Sequence, residues 1–166
     1  MALYEPVLEA LERHEVRYVV VGGVATVLRG YPRLTLDLDL AIDLDRAGPA
    51  IDALVQLGFV PLLPVNPHEF ADPEKRREWV DERNLKVFAL SDPDDPFRQV
   101  DIFAENPLPF EALWAEASEV QFGAISARVA STEHLITMKR MAGRGKDLED
   151  VEALEELQRR GNQDRG

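Results

Sequence analysis

Three aspartates set among apolar residues are the side chains of this sequence best suited to chemistry. Asp37 and Asp39 are separated by one leucine, and Asp101 stands inside a later apolar run. Carboxylates about 4 Å apart repel one another by about 4 kcal/mol per pair at an effective dielectric constant of about 20. Protons or a cation must relieve that repulsion, and hard carboxylate oxygens select Mg²⁺ or Mn²⁺. The three aspartates therefore predict a two-metal site for phosphoryl chemistry.

The first two aspartates lie in a segment that alternates like a β-strand, from Leu36 to Leu44. Side chains on a strand point alternately to its two faces, so the segment has one apolar face for the core and one acidic face. The apolar face would hold Leu36, Leu38, Leu40, Ile42 and Leu44, and the opposite face Asp37, Asp39, Ala41 and Asp43. Gln99 to Phe103 alternates in the same way, and Asp101 joins the pair if the two strands are neighbours. A strand face exposed to water is the alternative interpretation of this alternation.

A strand, a glycine pair and a helix precede the aspartates. Tyr18 to Val21 is an apolar run of strand length, Gly22 and Gly23 interrupt it, and Val24 to Gly30 has the apolar spacing of a helix. Backbone amides at the start of a helix point outward and attract anions. The order of these elements favours a place where the backbone faces a phosphate group.

The remaining segments predict further helices and strands along the chain. Helices are expected at Tyr4 to His14, Ala47 to Leu57, Asp72 to Asp81, Pro109 to Ala117, Ser131 to Met141 and Asp147 to Leu157. The inner face of the last helix would hold Leu148, Val151, Leu154 and Leu157. Two hairpins are expected, Leu85 to Phe103 with a loop of roughly six residues, and Val120 to Val129 around Gly123.

The spacing of the glycines and aspartates, with the polar residues between them, follows a known pattern. The residues that carry it are Gly22, Gly23, Arg33, Thr35, Asp37, Asp39 and Asp101. In these positions the chain resembles the DNA polymerase beta-type nucleotidyltransferase superfamily. The string RLTLDLDLAID most resembles the minimal nucleotidyltransferases and the AbiEii-like branch of bacterial toxin–antitoxin systems. The string EHLITMKRMAGRGKDLEDVEAL is similar to the lysine-bearing helix and Arg-x-Lys-Asp pattern of that branch.

The resemblance covers Tyr18 to Leu157 and implies a fold and a reaction. The fold is expected to be of the α/β (α+β) class, with a mixed sheet flanked by helices and a helical C-terminal segment. The expected reaction is Mg²⁺-dependent (or Mn²⁺-dependent) transfer of a nucleoside monophosphate from a nucleoside triphosphate such as ATP. Asp37 and Asp39 would hold both metals, while Asp101 would hold the metal that activates the acceptor hydroxyl and would take its proton.

Five other residues are expected to bind the nucleotide. Gly22 and Gly23, with Thr35, would cradle the phosphates, although members of the superfamily often carry Gly-Ser where this chain has two glycines. Lys139 would neutralise developing charge on the phosphates, and the alternative is an ordinary solvated helix lysine. Arg33 would either reach phosphate or pair with an acid. The neighbouring cations Arg144 and Lys146 are assigned to the carbonyls at a helix C-terminus instead.

Composition limits the class of protein. The 166 residues predict a single domain over residues 1–158 and a frayed polar tail over residues 159–166. No apolar run of membrane-spanning length and no signal-peptide pattern is present, so a cytoplasmic protein without membrane contact is expected. The absence of cysteine excludes disulfides and thiolate chemistry. A net charge of −12 argues against broad coating of nucleic acid, while a local basic strip acting on one RNA end stays possible.

The resemblance also implies partners, and other functional classes stay open. A bacterial toxin–antitoxin or phage-defence module is the implied setting, with tRNA or a protein as the acceptor and a toxin or an antitoxin as the binding partner. An antitoxin-like module that blocks a partner through its acidic surface is one alternative. A nucleotide sensor that binds without turnover is another. Release of pyrophosphate from nucleoside triphosphate distinguishes the enzyme from both.

Overall fold

Seven strands form one mixed sheet in the computed structural model, which describes residues 2–163. They lie in the order β3-β4-β5-β2-β1-β7-β6, with β2–β5 and β1–β7 parallel and the other neighbours antiparallel. The predicted mixed sheet is therefore confirmed. The strands are β1 (Tyr18–Val21), β2 (Asp37–Ile42), β3 (Val60–Pro61), β4 (Val87–Asp92), β5 (Asp95–Phe103), β6 (Ser118–Phe122) and β7 (Ile125–Val129).

Helices flank this sheet, as the sequence predicts. In the described residues, a short 3-10 helix at Ala2–Tyr4 comes first, and two more, at Leu44–Arg46 and Pro67–Ala71, lie between the longer elements. None of the helices in residues 2–163 combines the length and the apolar character needed to cross a membrane. The α-helices are α1 (Glu5–Arg13), α2 (Gly22–Leu28), α3 (Ala47–Gln56), α4 (Pro73–Arg83), α5 (Phe110–Glu116), α6 (Thr132–Ala142) and α7 (Gly145–Gln163).

The two C-terminal helices differ in how well the sequence predicts their ends. The hydroxyl of Ser131 accepts a hydrogen bond from the His134 amide at 3.2 Å, which satisfies a free N–H of the first turn of α6 as predicted. Helix α7 starts at Gly145 and continues to Gln163. The segment predicted as a frayed tail from Arg159 is therefore helical as far as Gln163. Residues 164–166 lie outside the described part of the chain.

The core fixes which residues of the central strands face the cleft. All four residues of β1 are buried, as are Leu38 and Leu40 of β2 and Val100 and Ile102 of β5. Full burial of one aliphatic side chain stabilises the fold by about 1.5–3 kcal/mol. A slip of one residue would exchange these aliphatic side chains for aspartates, so the register of β2 and β5 is strongly determined.

The apolar face of β2 is shorter than its alternation predicts. Leu36 is 48% exposed, because the ladder between β2 and β5 begins one residue later, at Asp37 and Gln99. Leu44 lies beyond the strand, in the 3-10 helix that follows it. The prediction that both leucines point into the core from a strand is therefore wrong.

The hairpin of β4 and β5 has a tighter turn than predicted. Asp92 pairs with Asp95 across the hairpin, which leaves only Pro93 and Asp94 in the turn instead of a loop of about six residues. The Asp92 side chain accepts a hydrogen bond from the Asp94 amide at 2.9 Å, and an aspartate bond of this kind replaces a backbone turn.

Candidate active site

Asp39 and Asp101 lie side by side on the floor of the candidate site. They are register partners in the parallel pair β2–β5, whose strands are about 4.8 Å apart, so the two side chains rise from the same face of the sheet. Asp37 precedes them on that face, and its register partner Gln99 donates a hydrogen bond from Nε2 to Asp101 Oδ1 at 2.8 Å. The structure therefore brings the three predicted aspartates to adjacent positions.

The glycine pair fits closely around these acids. A Cβ atom on Gly22 would lie 2.0 Å from Asp39 Oδ2, and the residue has a φ of +64°, a conformation that glycine adopts most easily. A Cβ atom on Gly23 would lie 2.3 Å from the hydroxyl oxygen of Thr35. The Gly23 amide points to Asp39 Oδ2 at 3.4 Å. A larger residue at either position would therefore collide with a predicted metal ligand, Asp39, or a predicted phosphate-binding residue, Thr35.

Burial is the main influence on the acidity of the floor. It raises the pKa of Asp39 from 3.8 to about 7, with smaller upward contributions from the charges of Asp101 and Asp37. The Gly23 amide and the Lys139 ammonium act in the opposite direction. The pKa of Asp101 is also raised, again first by burial, while its bond from Gln99 lowers it. Repulsion between the acids, which the sequence predicts, therefore raises these pKa values less than burial does.

The three aspartates of the floor are the residues that could hold a divalent cation. Within residues 2–163, no three His, Cys, Asp or Glu side chains are arranged to hold a metal ion together. Asp39 accepts a hydrogen bond from the Gly23 amide at 3.4 Å and Asp101 accepts one from the side chain of Gln99, and the role of the three aspartates as metal ligands stays a prediction. The donor set still fits a hard divalent cation in kind, since adjacent aspartates offer only carboxylate oxygens and net negative charge on this floor is unfavourable.

A basic wall, formed by Lys139 and Arg33, lines the same cleft as the aspartates. Lys139 Nζ donates to Asp150 Oδ2 at 2.5 Å, and the guanidinium of Arg33 donates to the same oxygen. The Lys139 and Asp150 side chains are only 7% and 4% exposed. Lys139 is therefore not an ordinary solvated helix lysine, and Arg33 does pair with an acid, which is the second of the alternatives for it.

Two more cations reach this wall, contrary to their assignment from the sequence. Arg144 and Lys146 line the same cleft as the aspartates. Arg144 Nε donates to Asp147 Oδ2 at 2.7 Å, and Asp147 is the main cause of the raised pKa of Arg144, with a smaller contribution from Asp39. The physical reason is that α7 starts at Gly145, so these cations stand at the junction of α6 and α7 over the cleft.

The acidic floor and the basic wall enclose one cleft of about 410 Å³. Its volume lies within the range of about 300–1,000 Å³ that is typical of small-molecule sites. Apolar side chains, among them Leu34, Leu135 and Met138, complete the lining. The chemical roles of the predicted residues stay predictions, but all eight line this cleft: Gly22, Gly23, Arg33, Thr35, Asp37, Asp39, Asp101 and Lys139.

Comparison with solved structures shows the kind of fold that carries this cleft. The chain is similar to the lincosamide antibiotic adenylyltransferase LnuA with bound lincomycin, at a TM-score of 0.61 and 17% identity over 94% of this chain and 96% of that one. It is also similar to ANT(2'')-Ia in complex with adenylyl-2''-tobramycin, at a TM-score of 0.60 and 16% identity over 99% of this chain and 98% of that one. The chain has a nucleotidyltransferase fold.

The similarity to known proteins extends to the fold and not to the sequence. An antigenic nucleotidyltransferase-like protein from Paracoccidioides brasiliensis aligns at a TM-score of 0.56 and 18% identity over 92% of this chain and 74% of that one. No family model matches the sequence, and no curated protein matches it either. The nucleotidyltransferase fold is thus shown by structure, at identities too low to transfer an activity or a substrate.

Sequence reasoning missed two buried acids of α7. Asp147 and Asp150 are each 3% exposed, and they share the inner face of the helix with Val151 and Leu154. Leu148, predicted on that face, is 50% exposed, because the helix is turned to bring the two acids against the cations of the cleft. The signal was the spacing itself, since residues 147, 150, 151 and 154 follow the period of one helix face.

Proposed function

We propose that the protein transfers a nucleoside monophosphate from a nucleoside triphosphate to a hydroxyl-bearing acceptor. The observation that carries this proposal is the cleft itself, which is lined by the register partners Asp39 and Asp101 and by the cations Lys139 and Arg33. Negative and positive side chains in one cleft suit a substrate whose reacting group is a chain of phosphates. The nucleotidyltransferase fold supports the same reaction class.

The aspartates would hold Mg²⁺ or Mn²⁺ in this reaction. Asp37 and Asp39 would contribute oxygens to both ions of a metal pair, and Asp101 to one. Divalent ions at such a site neutralise the phosphates and make an acceptor hydroxyl more acidic. Asp101, the most distant of the three in sequence, would accept the proton that the hydroxyl loses.

The basic wall would bind and orient the phosphates. Lys139 is a buried ammonium, and Arg33 provides a planar fork of donors, so together they match the oxygens of a phosphate chain. Thr35 lies over the Gly22–Gly23 turn and would add a hydroxyl donor. Charge placed in advance on the side where negative charge develops stabilises a transition state without reorganisation.

The acceptor is proposed from two sources. Resemblance of the strings around Asp39 and Lys139 to the AbiEii-like branch supports tRNA or a partner protein, in a bacterial toxin–antitoxin or phage-defence setting. The names of two structural neighbours support a small molecule with a free hydroxyl, because LnuA holds lincomycin and ANT(2'')-Ia holds an adenylylated tobramycin. We favour tRNA or a protein and treat a small-molecule hydroxyl as the competing acceptor.

Incubation with α-labelled and γ-labelled nucleoside triphosphates tests the proposed function. Wild-type protein with Mg²⁺ or Mn²⁺ is expected to release pyrophosphate and to move α-label, but not γ-label, into total RNA, a co-expressed neighbour protein or added antibiotic. Asp101→Asn is expected to lower this transfer by about a thousandfold, because several kcal/mol of metal-assisted stabilisation are lost. Equal labelling by the two proteins would contradict the assigned role of Asp101.

Divalent cations are expected to stabilise the protein in a pH-dependent way. At about pH 7.5, Mg²⁺ or Mn²⁺ at about ten times its dissociation constant should add about 1.4 kcal/mol, or roughly 3–6 °C in melting temperature. At about pH 5 the shift should vanish, because Asp39, whose pKa is about 7, is then protonated and a poor ligand.

Two variants control that measurement. Asp94→Asn removes an exposed acid of the β4–β5 turn and should keep the cation-dependent shift. Asp39→Asn should lose it. A shift of equal size at both pH values, or in Asp39→Asn, would assign cation binding to acids outside the cleft.

A module that binds nucleotide or a protein partner without turnover is the second candidate function. One observation favours it, namely that Asp39 and Asp101 already accept hydrogen bonds from the protein's own Gly23 amide and Gln99 side chain. A sensor of this kind would bind nucleoside triphosphate at the basic wall and release no pyrophosphate. An antitoxin-like protein would protect cells from a toxic neighbour equally well as wild type and as Asp101→Asn.

A further inference from the structure

One carboxylate of α7 connects three segments of the candidate site. Asp150 Oδ2 accepts hydrogen bonds from Lys139 of α6 and from Arg33, which lies between α2 and β2. Asp150 is 3% exposed, so the charge is withdrawn from water. A buried charge is tolerated only when ions of opposite sign and hydrogen bonds compensate it, and here two cations do so.

The contact of Asp150 with Lys139 differs from a second ion pair between α6 and α7. Arg140 and Glu155 also join these two helices, but their side chains are 59% and 39% exposed, and water screens such pairs. Lys139 and Arg33, in contrast, line the cleft that holds the aspartates. Of these two interhelical contacts, therefore, only the buried one fixes side chains that a ligand in the cleft would touch.

The arrangement leaves one net positive charge at the shared oxygen. Lys139 and Arg33 together carry two positive charges, and Asp150 carries one negative charge. A long lysine side chain has many rotamers, and ordering it costs conformational entropy. Asp150 imposes that order in advance, so a phosphate ligand meets donors that are already in place.

We propose that Asp150 is the positioning residue of the phosphate-binding wall: it holds the Lys139 ammonium and the Arg33 guanidinium at a shared point so that the two cations engage an oligophosphate chain together. Asp150 itself does not touch substrate. The inference rests on the proposed function for the identity of the ligand, a nucleoside triphosphate or its pyrophosphate product. It adds to the site a residue, Asp150, whose role is to position the cations and not to bind the ligand.

Calorimetric titration with inorganic triphosphate tests the role of Asp150 without requiring turnover. In Asp150→Asn the affinity of the full-length protein for triphosphate is expected to fall about 10- to 100-fold, as is typical when a group that orients a ligand-binding side chain is removed. The affinity for the corresponding nucleoside without phosphates is expected to stay unchanged. A folded Asp150→Asn protein that binds triphosphate as wild type does would overturn the proposal.

Two further variants separate positioning from a purely structural role. Glu155→Gln removes the exposed contact between the same helices and should leave triphosphate affinity unchanged. Asp150→Glu keeps the negative charge that folding needs, but moves it by one methylene, and a misplacement of about 1 Å is expected to cost about tenfold in affinity at a similar melting temperature. Should Asp150→Asn fail to fold, unchanged affinity in Asp150→Glu would refute the positioning role.

The outcomes for Asp150 and for the proposed function are distinguishable. Wild-type protein that binds triphosphate but transfers no label would reject the enzyme and keep the inference, provided that the Asp150 variants bind more weakly. Wild-type protein that transfers label, with the Asp150 variants binding triphosphate normally, would reject the inference and keep the enzyme. Absence of triphosphate binding by wild type would reject the inference.

Discussion

Asp39→Asn is expected to stabilise the protein by up to about 4 kcal/mol at about pH 7 in the absence of divalent cations, while abolishing nucleotidyl transfer. The gain arises because burial raises the pKa of Asp39 from 3.8 to about 7, and each unit corresponds to about 1.4 kcal/mol. Asparagine keeps the size of the side chain and an oxygen for the Gly23 amide, but it carries no charge. The same charge is what a metal ligand needs, so transfer should fall at least about a thousandfold.

The effect of Asp39 on stability has a defined direction with pH. Below about pH 3.8 the side chain is protonated in the folded and unfolded states, so it contributes no penalty. Between about pH 3.8 and 7 the unfolded state releases the proton while the folded state retains it, so wild-type stability falls as pH rises. Above the folded pKa both states are ionised and the penalty is constant.

Denaturant unfolding at a series of pH values measures this difference. The advantage of Asp39→Asn over wild type should be small at about pH 4 and should grow up to about pH 7. Asp94→Asn, which removes an exposed acid of the β4–β5 turn, serves as the control for loss of a carboxylate that the core does not bury. An advantage that stays constant over this range would show that Asp39 ionises in the folded protein as it does in the unfolded chain.

Gly22→Ala is expected to lower the free energy of unfolding by about 2–5 kcal/mol and to displace Asp39. Its left-handed backbone, with a φ of +64°, costs an alanine about 1–2 kcal/mol. The new Cβ would also lie 2.0 Å from Asp39 Oδ2 and 2.8 Å from Asp39 Cβ. Rotation of the carboxylate cannot relieve the second contact, so the strand or the helix must shift, at a further cost of about 1–3 kcal/mol.

Gly58→Ala is the matched control for that substitution. Gly58 has a φ of +89°, but no atom lies within 4 Å of the position of an added Cβ. It should therefore show the backbone cost alone, about 1–2 kcal/mol, and keep transfer activity. Equal destabilisation by the two substitutions in denaturant unfolding, with activity retained in Gly22→Ala, would show that the contact with Asp39 has no consequence.

Sequence patterns predicted the parts of the site that depend on local periodicity. Alternation placed Asp37 and Asp39 on one face of a strand and placed Asp101 in a second alternating strand. The interruption at Gly22 and Gly23 located the backbone segment that contacts Asp39. These features depend on which side chains the core must bury, and neighbouring residues report that directly. Pairing of β2 with β5 depends on tertiary packing, so the sequence could state it only as a condition.

The basic wall shows where local patterns stop being sufficient. The apolar period of the last helix predicts Leu148 on its inner face, whereas the structure exposes Leu148 and buries Asp150. Asp150 can be buried on this face because Lys139 and Arg33, which are distant in sequence, come close enough to compensate its charge. That compensation depends on three segments meeting, and no single segment contains it.

The parallel pairing of β2 with β5 ties the candidate site to the completeness of the fold. Parallel neighbours need a long crossover, and here the chain between them includes α3, α4 and strands β3 and β4. Contacts between such distant residues form late in folding and are lost whenever the sheet opens along this seam. A partly unfolded molecule would keep Asp37 and Asp39 together but would separate them from Asp101, so catalytic competence would serve as a reporter of the intact sheet.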